Sequence, residues 1–182
     1  MTLRPALLWA AVVAGGLGLW AGHRLGPVPA PPRAPAAVTS PVEVAGIGEP
    51  LPALVLPDLQ GTLVDLRGFV GRPLLINVWA SWCGPCVEEM PELARFAATQ
   101  GEHGVQVVGL ALDTPEAVQA FLDRVPVDYP ILLETPGPGD ASVRLGNAQG
   151  LLPYSVLVDA QGRLVKRRVG PFEPGTLEAW AR

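Results

Sequence analysis

Residues Trp79 to Pro91 read WASWCGPCVEEMP and contain both cysteines of the chain, Cys83 and Cys86. Upstream, PLLINVWA (Pro73 to Ala80) is an unbroken apolar run between Gly/Pro signals, the pattern of a strand buried on both faces. Downstream, PCVEEMPELARFAATQ places Val87, Met90, Leu93, Ala94 and Ala97 at helical spacing and ends near Gly101. The thiol pair therefore sits where a buried strand hands over to a helix.

Two thiols so close allow three chemistries. A closed zinc site needs about four ligands, and the chain adds only two histidines, His23 and His103. Cu(I) on two thiolates remains open. A structural disulfide would close a very short loop and remove little unfolded-state entropy. A redox couple fits best. Cys83 falls at the helix N-terminus, where backbone N–H groups face a thiolate. Bringing a thiol from about 8.5 to about 7 takes roughly 2 kcal/mol. The helix dipole supplies only about 0.3–1 kcal/mol, so direct hydrogen bonds from the Cys86 side are expected to supply the rest. The tight Gly84-Pro85 turn brings Cys86 within reach. Cys83 is expected to attack and Cys86 to resolve.

Working outward, LVLPDLQGTLVDLRG reads as two short strands around Gln60-Gly61, and VQVVGLAL as a second buried strand. Asp113, Pro115 and Glu116 mark a helix start, with Asp113 as cap candidate, and the helix is expected to reach about Arg124. PYSVLVD and RLVKRRV flank Asp159 to Gly162 as a hairpin, and PGTLEAWAR closes the chain as a helix. The order predicts an α/β fold, a mixed central sheet with helices on both faces. The Gly- and Pro-rich ETPGPGDAS reads as a loop.

The rest of the chain bounds its setting. At 182 residues and 49% hydrophobic content there is room for one packed domain with appendages. Arg4, Arg24 and Arg33 precede residue 42, and every acidic residue follows it, so the body of the chain is acidic. That balance speaks against nucleic-acid binding. Lys166, Arg167 and Arg168 read as a solvated strand edge. Residues 5–23 carry no acid, lysine or arginine; as a helix they span about 28 Å, near the roughly 30 Å of a hydrocarbon core. Trp20 suits the interface at the far end. This length favours an uncleaved single-pass anchor over a secretory signal, although VPA (Val28 to Ala30) is a candidate cleavage site. The expected plan is a signal anchor over residues 1–25, a Pro/Ala-rich linker over 26–50 and the domain over 51–182.

WCGPC after an apolar strand, with Pro91 five residues beyond the second cysteine, resembles the thioredoxin pattern. LLPYSVLVDAQGRL resembles the segment that carries the cis-proline, here Pro153, preceded by Leu152 and facing the cysteines across the substrate groove. More narrowly, NVWASWCGPCVEEMPEL resembles the membrane-anchored TlpA/ResA/CcmG group of extracytoplasmic thiol-disulfide oxidoreductases. The resemblance implies a thioredoxin-like fold and a Cys83–Cys86 redox disulfide with no further cofactor. It also implies a substrate surface of Trp82, Gly84, Pro85, Leu152 and Pro153. Trp79 is expected to join Trp82 at the rim, although packing alone would account for it.

Thioredoxin carries a buried aspartate on the strand before the motif, where this chain has Asn77. In the TlpA/ResA group a glutamate matching Glu89 is thought to manage that proton. The competing reading is a solvated Glu88/Glu89 pair. Implied partners are oxidised cysteines of apocytochrome c, of its maturation factors or of copper-delivery proteins. Electrons would come from a membrane donor of the DsbD/CcdA type, with the catalytic domain in the periplasm and the anchor in the inner membrane. Gly84-Pro85 resembles reducing members. A dithiol oxidant and a copper-binding module remain the alternatives.

Overall fold

The computed structural model describes residues 42–182. The expected anchor and most of the expected linker lie outside the described residues. Among the described residues no helix is long and apolar enough to cross a membrane.

Five strands form the main sheet: β3 (Leu74–Trp79), β4 (Gln106–Leu112), β5 (Ile131–Glu134), β6 (Tyr154–Val158) and β7 (Leu164–Val169), in the order β5-β4-β3-β6-β7. β3 pairs in parallel with β4 and β4 with β5, while β6 and β7 run antiparallel. β3 is the central strand and all six of its residues are buried. Its alternation divides the core. Leu74, Ile76 and Val78 face one cluster, together with Val108, Leu110 and Val156. Leu75 and Trp79 face the other, which holds both cysteines. Side chains on successive strand residues point to opposite faces, so Asn77 lies on the cysteine side with Leu75 and Trp79.

That side is covered by α1 (Gly84–Thr99), α2 (Pro115–Leu122) and the single turn α4 (Leu177–Trp180), through Met90, Leu93, Phe96, Val118, Phe121 and Leu177. The opposite side carries the hairpin β1 (Val55–Pro57) and β2 (Leu63–Asp65), a 3-10 turn over Leu66–Phe69, and the short α3 (Ala141–Arg144). The hairpin turns at Gly61, whose φ of 79° suits glycine.

Several boundaries differ from the expectations. The buried stripe of α1 is Cys86, Glu89, Met90, Leu93 and Phe96, with Val87, Ala94 and Ala97 only at its margin. The inward face is thus turned by about one residue from the purely apolar reading, and this brings Glu89 inside. β5 arises in a stretch that the sequence reading left unassigned, and α3 begins within the ETPGPGDAS stretch read as loop. The linker boundary at residue 50 also moves. Ala45 is buried, its N–H donates to the Arg144 carbonyl, and Pro50 bridges to Arg163. The folded body therefore takes in residues assigned to the linker, because Ala45 and Leu51 complete the cluster beneath β3.

The basic run does lie on the edge strand β7, yet its side chains tie down chain segments. Lys166 Nζ donates to the Trp180 carbonyl, Arg167 to that of Ala45 and Arg168 to that of Pro171.

Ile76 is fully buried at the centre of the first cluster. Ile76→Ala should lower unfolding free energy by about 2–5 kcal/mol in urea titration. A loss under about 1 kcal/mol would mean that this face is not packed as described.

Candidate active site

β3 ends at Trp79, and the chain reaches α1 through Ala80, Ser81, Trp82 and Cys83. Asp113 pins this connection. Its Oδ2 accepts from the Ser81 backbone N–H at 3.0 Å and from Ser81 Oγ at 2.6 Å. Asp113 was the expected cap of α2, but Thr114 takes that role, its Oγ1 accepting from Ala117 N–H at 3.3 Å. The carboxylate one residue earlier is engaged by Ser81 and by the Thr114 N–H.

Cys83 is the N-cap of α1, with Pro85 in the first turn. Pro is well suited to that turn because it has no N–H to leave unpaired. Cys83 and Cys86 are joined as a disulfide. The Cys86 N–H donates to Cys83 Sγ at 3.3 Å, the direct bond expected from sequence. Cys83 keeps 7% of its surface exposed and Cys86 none. Gly84 and Pro85 are exposed, and Trp82 projects with 69% exposure. Trp79, expected at the rim, is fully buried and packs on Phe121 at 5.2 Å between ring centroids. The inward phase of β3 points it away from solvent.

Leu152–Pro153 is a cis peptide bond. The antiparallel pair Val78↔Tyr154, carried one step further, puts Pro153 beside the end of β3 from which the cysteine loop departs. Leu152 packs against both core clusters, including the one that holds Cys83 and Cys86. A cavity of about 640 Å³ lies between the β1–β2 hairpin and Asp113 and is lined by neither cysteine.

Glu89 is buried, which overturns the reading of Glu88 and Glu89 as a solvated pair; only Glu88 is exposed. One Glu89 oxygen accepts from Asn77 Nδ2 at 2.8 Å, the other from the Phe172 backbone N–H at 3.0 Å. Asn77 Nδ2 also lies 3.2 Å from Ser155 Oγ. Burial pushes the Glu89 carboxyl above its usual range, against the opposing pull of the Asn77 and Phe172 hydrogen bonds. Asn77 Oδ1 has no partner among the described residues. Turning the amide over would present that oxygen to a protonated Glu89, so Asn77 is able to serve either protonation state. Burial, and secondarily the Glu89 charge, push the Tyr129 phenol upward and keep it protonated. The Phe172 contact joins residues 83 apart in sequence, and no local signal announces it. Among the described residues no group of His, Cys, Asp and Glu is arranged to hold a metal ion.

A cysteine pair at a helix N-terminus beside a cis-proline points to a thioredoxin-like protein, and comparison with known proteins decides the family. Residues 47–180 match the Redoxin family model. The chain belongs to the Redoxin family. It is 32% identical over 130 residues to the thiol-disulfide oxidoreductase ResA of Halalkalibacterium halodurans, covering 70% of each chain. It is 36% identical over 138 residues to the thiol:disulfide interchange protein DsbE of Allochromatium vinosum, covering 74% of this chain and 71% of that one. Among solved structures, a thioredoxin-related protein from Neisseria meningitidis serogroup B superposes with a TM-score of 0.61 at 31% identity, covering 68% of this chain and 93% of that one. These Redoxin relatives and the sheet order establish the thioredoxin-like fold and the kinship with the TlpA/ResA/CcmG group.

Glu89 gives this site a pH signature. Its carboxyl is raised in the fold, so the native state keeps a proton that the unfolded chain has already released. This contribution is fully present below the ordinary carboxylate value and is lost as pH rises through the raised one. In Glu89→Gln, which does not titrate, stability relative to wild type should therefore increase as pH goes from 4 to 7. Urea unfolding at several pH values reads the difference. A constant gap between the two proteins would show that Glu89 has an ordinary carboxyl.

Proposed function

We propose that the protein reduces disulfides of partner proteins outside the cytoplasm through a Cys83–Cys86 couple. The thiol-disulfide oxidoreductase class rests on its Redoxin membership and its ResA and DsbE relatives. The observation that carries the finer reading is the unequal placement of the two sulfurs. Cys83 caps the helix, receives an N–H and retains exposed surface, whereas Cys86 is sealed.

In the reduced protein the Cys83 thiolate attacks one sulfur of a partner disulfide, forming a mixed disulfide and releasing the first partner thiol. Cys86 then attacks Cys83 Sγ, the Cys83–Cys86 disulfide forms, and the second partner thiol leaves. Two electrons pass to the partner. Cys86 must lose its proton to act, and it is buried where water does not reach it. Glu89, one turn along the same helix face and itself buried, is the proposed acceptor of that proton. Burial raises its carboxyl from the ordinary range toward neutrality, the direction that makes it a stronger base.

Trp82, Gly84, Pro85, Leu152 and Pro153 form the proposed surface on which the partner chain lies. The apolar segment within residues 1–25 would hold the domain on the outer side of the inner membrane. A membrane donor of the DsbD/CcdA type would return electrons to the disulfide. Oxidised cysteines of apocytochrome c, of its maturation factors or of copper-delivery proteins fit as substrates.

The direction of electron flow is read by equilibrating the protein with glutathione. A reductase should show a potential well below the about −120 mV of a strong oxidant, toward the about −270 mV of thioredoxin. Expressed in cells, the Cys86→Ser protein should carry a partner covalently bound through Cys83, and Cys83→Ser should abolish insulin reduction. A potential near −120 mV would overturn the reductase reading in favour of an oxidant. Tight one-to-one Cu(I) binding without insulin reduction would favour copper delivery instead.

A further inference from the structure

Asp140, Ser142 and Asn147 are buried polar residues that the redox chemistry does not use. They form one connected network. Asp140 Oδ1 accepts from Ser142 Oγ at 2.7 Å and from Val143 N–H at 3.1 Å, and Asp140 Oδ2 accepts from Gly137 N–H at 2.9 Å. Asn147 clamps Leu151 from both sides: its Nδ2 donates to the Leu151 carbonyl at 2.9 Å and its Oδ1 accepts the Leu151 N–H at 3.1 Å. Asn147 Nδ2 also lies 3.5 Å from Ser142 Oγ, linking the two halves. Buried polar groups satisfied in this way fix backbone positions. Here they fix two chain segments, Pro136 to Pro138 and Ala148 to Leu151.

Between those segments is a cavity of about 310 Å³. Trp82, Leu112, Pro136, Pro138, Val143 and Leu152 supply its apolar walls. Asp140 reaches it as well, but both of its oxygens are already engaged within the network. The cavity is continuous with the redox face, because Trp82 directly precedes Cys83 and Leu152 directly precedes Pro153. Its size is at the lower limit for a small-molecule site and suits one large side chain. Trp82 carries this apolar lining out to solvent, with 69% exposure.

We propose that this cavity is a specificity pocket, built by the Asp140–Ser142–Asn147 network, which takes a large apolar side chain of the partner segment flanking the cystine under attack. The inference rests on the reductase reading for the identity of the occupant. It makes partner choice a property of the loop between β5 and β6. The cysteine motif then supplies chemistry, and the loop decides which sequences are presented to it.

The test uses the full-length reduced protein and short peptides, each with one cysteine held as a mixed disulfide with glutathione. One phenylalanine is moved through the three positions on either side of the cysteine, and an all-alanine peptide is the reference. At one position the phenylalanine peptide should be reduced about tenfold faster than the reference, the discrimination expected of an apolar pocket. Ala148 is exposed on the pocket wall, and Ala148→Trp should bring that ratio to about one. The same phenylalanine peptide with serine in place of cysteine should shift the Trp82 indole N–H resonance of the wild-type protein, whereas the alanine version should not. Such a shift with no peptide reduced would support the pocket and overturn the reductase reading. Reduction at equal rates with no shift would overturn the pocket alone. A tenfold preference that survives Ala148→Trp would also overturn it.

Discussion

The site depends on one hydrogen bond, from the Cys86 N–H to Cys83 Sγ. It exists because only four residues lie between the end of the central strand β3 and the start of α1, so that Cys83 becomes the N-cap. An N-cap normally satisfies an orphan N–H of the first helical turn with an oxygen. Here a sulfur takes that place, and the donor belongs to the other cysteine. The same geometry leaves Cys83 at the surface and seals Cys86 beneath it. Asp113, holding Ser81 from the end of β4, keeps the connection in register.

Beneath the sulfurs the protein places a second polar arrangement in an otherwise apolar layer. Asn77 on β3 and the Phe172 N–H after β7 converge on Glu89 from α1, and Ser155 on β6 accepts from Asn77. A buried carboxyl is costly unless it is hydrogen-bonded, and each oxygen of this one has a donor. Burial still outweighs those donors, and the carboxyl stays above its usual range. Asn77 holds this carboxyl without titrating itself. This buried carboxyl is therefore on the helix that carries the cysteines, within one turn of the buried Cys86.

Much of this was legible in the sequence, for physical reasons. The apolar run of β3, the cysteine pair and the periodicity of α1 are local signals, and they placed the helix start at Cys83. The hairpin around Asp159 to Gly162 was equally local, since Asp159 Oδ1 accepts from the Gln161 and Arg163 N–H groups. What escaped depends on distant contacts. Local pattern could not choose between the buried Glu89 that the resemblance implied and a solvated Glu88/Glu89 pair, because the partners of Glu89 come from β3 and from beyond β7. β5 holds only three apolar residues, Ile131 to Leu133, before Glu134, too short a run to show a period, and it exists through pairing with β4. α3 was hidden in a Gly/Pro-rich stretch, although Asp140 before Ala141-Ser142-Val143 is a cap signal that could have revealed it. Asp113 was misassigned because either Asp113 or Thr114 suits an N-cap, and only the position of Ser81 decides between them.

The most direct test of the account is the pH dependence of Cys83 alkylation by iodoacetamide in the reduced protein, with Cys86→Ser isolating the one thiol. If the helix N-terminus and its N–H groups hold the sulfur ionised, the rate should be half-maximal well below the about 8.5 of a free thiol. A rate that rises only through pH 8 and above, like that of an unstructured cysteine peptide, would contradict it.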